Sequence, residues 1–566
     1  MIVDTLACLI LVLGVAFGLS RPVVDRLGLS APETLVAGAA LSLIAAWAVA
    51  WAVFTTGAPL SGYWVVPALG AAGLAAGWRP ARRVLADPAA RDLACGQLIV
   101  TGWCVGWLSF VKVHSGGLWT GDSFEHWERA RFFLRQWPRD RLFIENYILP
   151  ARPPLANVLT AAFMRMTAID YAHFQVITTA LCTLAYLPVG LLAGRFGGRP
   201  AARLAVVILM VSPLFLQNST YPWTKLQAVF FVLTGLYFFL RVRDQAGAPG
   251  AAAVLCAVSL GGAIVTHYSA GPYVVVLAAA WIAIGFGRGW DRGFTVTTAL
   301  CAAAGACVLA PWFAWSVAQY GWHGTFLANS TVDMMGKTSS PLVTMALNMR
   351  DSLVPPQVRG WRGQIFDQTS PWGRLRDQFF FIYQLNPVLA LGCVGWVAVA
   401  REAGRALRAA SRRDRVFWTA TVAGFFLISF TTYGDRDHYG IGHICLQSLV
   451  LLGLTFLASR WQGLGPGWRL ALIAGWTVDF CLGIALQFAV EDYALDRWLL
   501  PGKNIMEVSR TYTLVSQENL LEKALTHLAY FADILPTPPS IVLLLLGAIL
   551  CLALTRAGTT PALPQD

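Results

Sequence analysis

The chain has 566 residues, 57% of them hydrophobic and only 13% charged, with a mean hydropathy of +0.58. A soluble protein of this length needs a far more polar surface, so that class is excluded. The formal net charge of +12 would suggest nucleic acid in a soluble protein. Here the arginines crowd short loops between apolar runs and no nucleic-acid module is visible, so the charge reflects topology and anionic headgroups.

The first apolar run lacks a basic stretch ahead of it and a small-residue cleavage site, and is read as a retained helix. Runs able to cross about 30 Å of hydrocarbon follow in chain order at 2–19, 34–56, 60–77, 93–113, 174–194, 204–217, 222–241 and 251–266. The series continues at 270–286, 295–318, 382–400, 416–433, 439–458, 470–489 and 540–555. The pattern predicts an all-α polytopic membrane protein with about fifteen spans.

The arginines fall at Arg21/Arg26, Arg79/Arg82/Arg83/Arg91, Arg195/Arg199/Arg203, Arg241/Arg243, Arg288/Arg292, Arg401 through Arg415, Arg460/Arg469 and Arg556. Short arginine-rich loops stay cytoplasmic. That leaves 57–59, 114–152, 217–222, 266–270, 319–381, 434–438 and 490–539 outside. One conflict arises: 153–169 and 174–194 lie between an outer and an inner loop, where only one crossing fits. The first carries Arg165 and Asp170 and is predicted to be a re-entrant or surface-lying helix.

Residues 114–152, rich in Arg, Glu and Trp, predict amphipathic helices lying in the interface. Residues 319–381 carry Arg359, Arg362, Arg374 and Arg376, and 490–539 predict a small helical cap through Glu518–Phe531. No repeat or low-complexity tract stands out. His114, His126, His267, His323, His438 and His527 fall in outer loops or at outer helix ends; His443 lies about a turn inside, and His173 is ambiguous. All eleven cysteines lie in apolar segments without CxxC spacing, so disulfides and thiolate metal sites are not expected.

Three constellations carry chemistry. Trp119-Thr-Gly-Asp122-Ser-Phe-Glu125-His126-Trp127 offers Asp122 as a general base, with Glu125 or His126 about one helical turn away to orient it or touch substrate. The same residues also suit the N-cap of an interfacial helix, and the two roles coexist. Tyr221-Pro-Trp-Thr-Lys225 offers a compact cation for a phosphate; it equally suits a snorkelling lysine beside an aromatic belt. Gly434-Asp435-Arg436-Asp437-His438-Tyr439 is a dense polar knot. Asp435 and Asp437 with His438 could hold a divalent cation through hard oxygens, although a turn with locally neutralised charge is favoured. Arg436 and His438 remain reasonable phosphate contacts. His267, with Tyr268, is a weaker member of the set. All sit at one predicted bilayer level, where charges are costly and tend to be functional.

In these residues the chain resembles the GT-C superfamily of membrane glycosyltransferases, which includes protein O-mannosyltransferases and aminoarabinose transferases. Members place an acid in the first large outer loop, here Asp122. The loop runs to Arg152-Pro153-Pro154-Leu155, then come a basic turn, Gly194-Arg-Phe-Gly-Gly-Arg199, and a span ending in Ser212-Pro213-Leu214-Phe215. The resemblance covers roughly 93–460 and divides the chain into an N-terminal three-helix extension (1–92), a catalytic core (93–460) and a C-terminal part (461–566). It departs from relatives that carry a second acid where this chain has Lys225, and the Trp-Trp-Asp motif of oligosaccharyltransferases is missing.

The resemblance implies a multi-pass protein of the cell's inner (plasma) membrane with its active site on the extracytoplasmic side. A polyprenyl-phosphate sugar would be the donor, and a glycan, lipid or protein hydroxyl the acceptor; membrane lipids surround it and nucleic acid is not a partner. Asp122 would deprotonate the acceptor for inverting attack, while Lys225, Arg436, His438 and His267 meet the phosphate. No cofactor is expected and activity should survive EDTA, a divalent cation entering only through Asp435 and Asp437. The alternatives are an O-antigen ligase or polymerase relying on His323, Arg359 and Arg362, and a lipid or solute transporter.

Overall fold

The computed structural model describes residues 2–108, 121–143, 147–244, 249–327, 339–353, 392–432 and 445–484, with side chains at 121–124, 249, 351–353, 392–393, 432 and 482–484 outside that description. The helices in order are α1 (Ile2–Gly18), α2 (Arg21–Val24), α3 (Ala31–Thr55), α4 (Val65–Ala76), α5 (Trp78–Ala86), α6 (Pro88–Leu108) and α7 (Gly121–Arg135). Then come α8 (Leu155–Met166), α9 (Tyr171–Thr183), α10 (Tyr186–Met210), α11 (Pro213–Thr220), α12 (Lys225–Arg243), α13 (Pro249–Thr266) and α14 (Gly271–Gly287). The remainder are α15 (Arg292–Trp322), α16 (Pro341–Leu353), α17 (Gly392–Ala409), α18 (Arg412–Thr432), α19 (Gln447–Arg460) and α20 (Pro466–Ile484). Among the described residues the only β pairing is the isolated bridge Phe143–Tyr147. Among the described residues six helices are long and apolar enough to cross a membrane by length and composition, or seven if the bent pair at 60–86 counts as one.

Helix α12 sets the frame. Its 19 residues span about 28 Å, close to the thickness of a hydrocarbon core. Lys225 stands at one end and Arg241 and Arg243 at the other. Glu33 meets the far end: its side chain accepts from the Ser30 backbone N–H at 2.9 Å, from Tyr237 Oη at 2.6 Å, and from Arg241. One carboxylate thus caps the start of α3 and anchors the end of α12.

The arginine-rich segments gather at this same end. Arg195 pairs with Asp244, Arg243 with Asp414, Arg199 and Arg203 with Asp92, and Arg405 and Arg460 with Glu402. These bonds connect the loops that the sequence assigns to one side. Gly198, at φ 72°, breaks the helical path within α10 in a conformation costly to a residue with a Cβ, and Pro200 follows it. The basic turn Gly194–Arg199 therefore holds a kink in α10.

Several predicted elements differ. The run 174–194 is two helices, α9 and α10, broken at Leu184–Ala185. The run 204–217 stops at Met210, because Ser212 caps a new helix by accepting from the Phe215 N–H at 3.4 Å. Segment 217–222 is buried rather than an outer loop, since α11 is enclosed along its whole length. Helix α17 continues to Ala409, so Arg401, Arg405 and Arg408 are helical. Helix α8 is not surface-lying: its residues from Leu155 to Met164 are all buried, packed among α3, α7 and α9. At 12 residues it reaches only about 18 Å, too short to span a hydrocarbon core of about 30 Å. The cap at 490–539 and the span 540–555 lie outside the described residues.

Packing is held partly by polar contacts, as membrane helices require. Gln97 donates to Thr101 at 2.8 Å and Thr101 meets Thr183 at 2.9 Å, pinning α6 to α9. Trp51 of α3 packs on Phe133 of α7 and on Trp312 and Trp315 of α15, at ring separations of 5.1–6.3 Å.

Candidate active site

Helix α7 holds three of the predicted residues, Asp122, Glu125 and His126. Asp122 is its second residue, and that side chain lies outside the described residues. Glu125 through Leu134 are buried on every face, so α7 does not lie in an interface with one side wet. The correction has a physical basis: its charges are satisfied internally. Glu125, 0% exposed, accepts from Arg129 Nε at 2.8 Å on one oxygen, and its other oxygen lies 3.3 Å from Arg152 Nη2. Arg129, also 0% exposed, donates further to the Leu149 and Ile148 carbonyls at 2.8 and 3.2 Å. Its guanidinium stacks 4.3 Å from the Phe143 ring. The i,i+4 spacing of Glu125 and Arg129 puts them on one helical face. Gln136, at φ 48°, then ends the helix ahead of Pro138.

His126 faces α8, with Nδ1 3.1 Å from Asn157 Oδ1. Arg152 immediately precedes Pro153 and Pro154, which start α8 without needing N–H partners. Its guanidinium lies over the Tyr147 ring at 5.1 Å.

Lys225 is the first residue of α12 and only 5% exposed. Its Nζ sits 3.2 Å from the centre of the Trp223 ring, whose own edge packs on Tyr221 at 4.8 Å. A cation at a helix N-terminus opposes the macrodipole by about 0.3–1 kcal/mol. A buried ammonium on an aromatic face is not the water-reaching pose of a snorkelling lysine.

His267 joins the two halves. It follows α13, and its Nδ1 accepts the Ser269 backbone N–H at 3.0 Å. In the neutral ring the proton therefore sits on Nε2. Desolvation, then the charges of Lys225 and Arg152 and the neighbouring His126, hold the imidazole well below its usual range. Those three side chains, from α12, the start of α8 and α7, thus lie within electrostatic reach of one ring. Tyr268 fixes the junction by donating to the Pro150 carbonyl at 3.2 Å and accepting from Trp312 Nε1 at 3.3 Å. Cys445 lies within reach of the Lys225 charge as well.

The structure brings Glu125, His126, Lys225 and His267 to one end of the bundle. Arg436, His438, Asp435 and Asp437 lie outside the described residues. Among the described residues no group of three or more His, Cys, Asp or Glu side chains could hold a metal ion. Reasoning from sequence overlooked Arg129 and Asn157 as members, though Arg129 was marked by its i,i+4 spacing from Glu125. It also passed over Asp479 in α20, a carboxylate only 4% exposed inside an apolar run, where an acid alone is a signal.

The fold and this cluster define an all-helical membrane protein with a buried ionic and aromatic site at the end opposite its arginine loops. No family model matches the chain, and no curated protein matches it significantly. Among solved structures it is similar to ArnT from Cupriavidus metallidurans bound to undecaprenyl phosphate, with a TM-score of 0.48 and 15% identity over 81% of this chain and 76% of that one. The apo state of the same protein gives 0.45 and 14% over 80% and 74%. The Archaeoglobus fulgidus oligosaccharyltransferase in the apo form gives 0.41 and 12%, over 80% of this chain and 60% of that one.

Proposed function

We propose that this protein is a GT-C-type glycosyltransferase that moves a sugar from a polyprenyl-phosphate donor to an acceptor hydroxyl at the extracytoplasmic membrane face. The observation that carries the reading is the buried charge at this end of the bundle: Lys225, 5% exposed at the start of α12, and Glu125 holding Arg129 and Arg152 on and beside α7, the helix that bears Asp122. A polyprenyl chain would lie among the roughly fifteen spans of the predicted layout, with its phosphate at this end.

The chemistry follows from charge. Sugar transfer from a phosphate needs no acid to protonate the leaving group, unlike glycoside hydrolysis. Asp122 takes the acceptor proton as the hydroxyl attacks the anomeric carbon from the face opposite the phosphate, inverting it. The negative charge growing on the departing phosphate is met by Lys225 at the start of α12 and by Arg152, which Glu125 holds in place. Arg436 and His438 complete the phosphate contacts. Neutral His267 donates through Nε2 without adding a repelling charge to its cationic neighbours. No divalent cation is called for.

The test is Asp122→Asn in the full chain, assayed in membranes with a polyprenyl-phosphate sugar. Turnover is expected to fall about 10²–10⁴-fold with unchanged folding. Near-full turnover in a folded variant would sink the assignment.

A further inference from the structure

Helix α5 lies at the arginine end and plays no part in the proposed reaction. It turns by 68° from α4, so it runs across the direction of that helix rather than continuing it. Its sequence, Trp78-Arg79-Pro80-Ala81-Arg82-Arg83-Val84-Leu85-Ala86, divides the helix into three sectors. At about 100° per residue, Arg79, Arg82 and Arg83 fall within an arc of about 100°, and Pro80, Ala81 and Val84 within a second of similar width. Between them, on one side, Trp78 and Leu85 project within roughly 20° of each other.

Burial follows the same division. Pro80, Ala81 and Val84 are half-buried against the protein, where α5 packs on α3 and α6. Trp78 and Leu85 are 61% and 44% exposed. The three arginines are exposed, and none has a carboxylate within ion-pair distance among the described residues. The nearby acids are engaged elsewhere: Asp87 caps α6 by accepting from the Ala89 and Ala90 N–H groups at 2.9 Å, and Asp92 binds Arg199 and Arg203. A helix with one sector on protein, one apolar sector outward and one cationic sector suits the line where protein, acyl chains and headgroups meet.

We propose that α5 is a docking element for anionic phospholipid headgroups in the leaflet facing the arginine loops. Trp78 and Leu85 enter the acyl boundary, and Arg79, Arg82 and Arg83 bind lipid phosphates and acidic headgroups. Arginine suits this task because its planar fork meets phosphate oxygens in pairs. The site is independent of the glycosyl-transfer reading and stands or falls without it.

The experiment uses the full chain in neutral detergent, with phosphatidylglycerol and phosphatidylcholine of equal chain length as probes. Native mass spectrometry reads lipid retention, and thermal unfolding reads stabilisation. Each arginine near an anionic surface is worth roughly a fivefold preference, so three give on the order of a hundredfold at low salt. The wild-type chain should retain phosphatidylglycerol at least tenfold over phosphatidylcholine. R79Q/R82Q/R83Q should lose that preference, R79K/R82K/R83K should keep most of it, and Arg199→Gln should leave it unchanged. If the triple glutamine variant does not fold, the three single substitutions carry the test, each cutting the preference about two- to fivefold. The proposal is overturned if the glutamine variants keep the wild-type preference, if the wild type shows none, or if inorganic phosphate alone reproduces the stabilisation.

Discussion

The two ends of the helix bundle both bring arginine and carboxylate together, yet they do so in different ways. At the arginine end the pairs join separate elements: Asp92 holds the turn within α10, Asp414 holds α12, and Glu402 holds the end of α19. Many of these groups are partly exposed. At the Lys225 end the ions are concentrated on α7 and the start of α8, and Glu125 and Arg129 are wholly buried. Guanidinium groups there also use backbone carbonyls and aromatic faces. The first arrangement ties loops together; the second fixes cations in place inside the protein. A site meant to receive an anion needs the second kind, because donors already in position cost no reorganisation when charge develops.

The sharpest way to break this contrast is at Lys225. Lys225→Met should cut kcat/KM about 10²–10³-fold while leaving the thermal unfolding midpoint close to wild type. Lys225→Arg should recover only part of the loss, since a guanidinium does not occupy the ammonium's seat on Trp223. A variant that unfolds instead of losing rate would make Lys225 a packing residue.

Glu125 tests whether the buried cluster is structural. Glu125→Gln leaves Arg129 and Arg152 without their carboxylate, and should destabilise the protein by about 3–5 kcal/mol, measured by unfolding in detergent. Wild-type stability would mean that the guanidiniums rely on the carbonyls and rings alone.

The environment of His267 gives a pH test. Burial and nearby cations depress its folded pKa below the ordinary histidine range, so the unfolded chain binds a proton that the folded chain refuses. Stability should therefore be complete above the unfolded pKa of about 6.5 and fall as pH drops below it, at up to about 1.4 kcal/mol per pH unit. His267→Asn should flatten that slope between about pH 6.5 and 5. An unchanged slope would place the acid sensitivity elsewhere.

The smallest effect belongs to the other end. Asp92→Asn removes a carboxylate shared by the partly exposed Arg199 and Arg203, and should cost at most about 1 kcal/mol with activity kept. A loss as large as that of Glu125→Gln would erase the distinction between the ends.

Much of this was legible in the chain. Apolar run length marked the spans, and arginine placement grouped the loops that the ion pairs now join. The residue types of the Lys225 end were legible too, because charged and histidine side chains in so apolar a chain stand out against their surroundings. The run 204–217 misled because hydropathy does not register Ser212-Pro213, a cap and a proline that end one helix and start another. Segment 217–222 misled because Gln217, Asn218, Ser219 and Thr220 look like a wet loop.

Composition and the length of the apolar runs therefore determined on their own that this is a helical membrane protein with arginine-rich short loops, since both are local properties of the chain. Only the tertiary structure decided that α7 and α8 are interior rather than interfacial. It also decided that Glu125 serves two arginines, that Lys225 rests on Trp223, and that one histidine senses three segments. Burial and pairing depend on which distant residues arrive beside a side chain, and no stretch of sequence carries that information by itself.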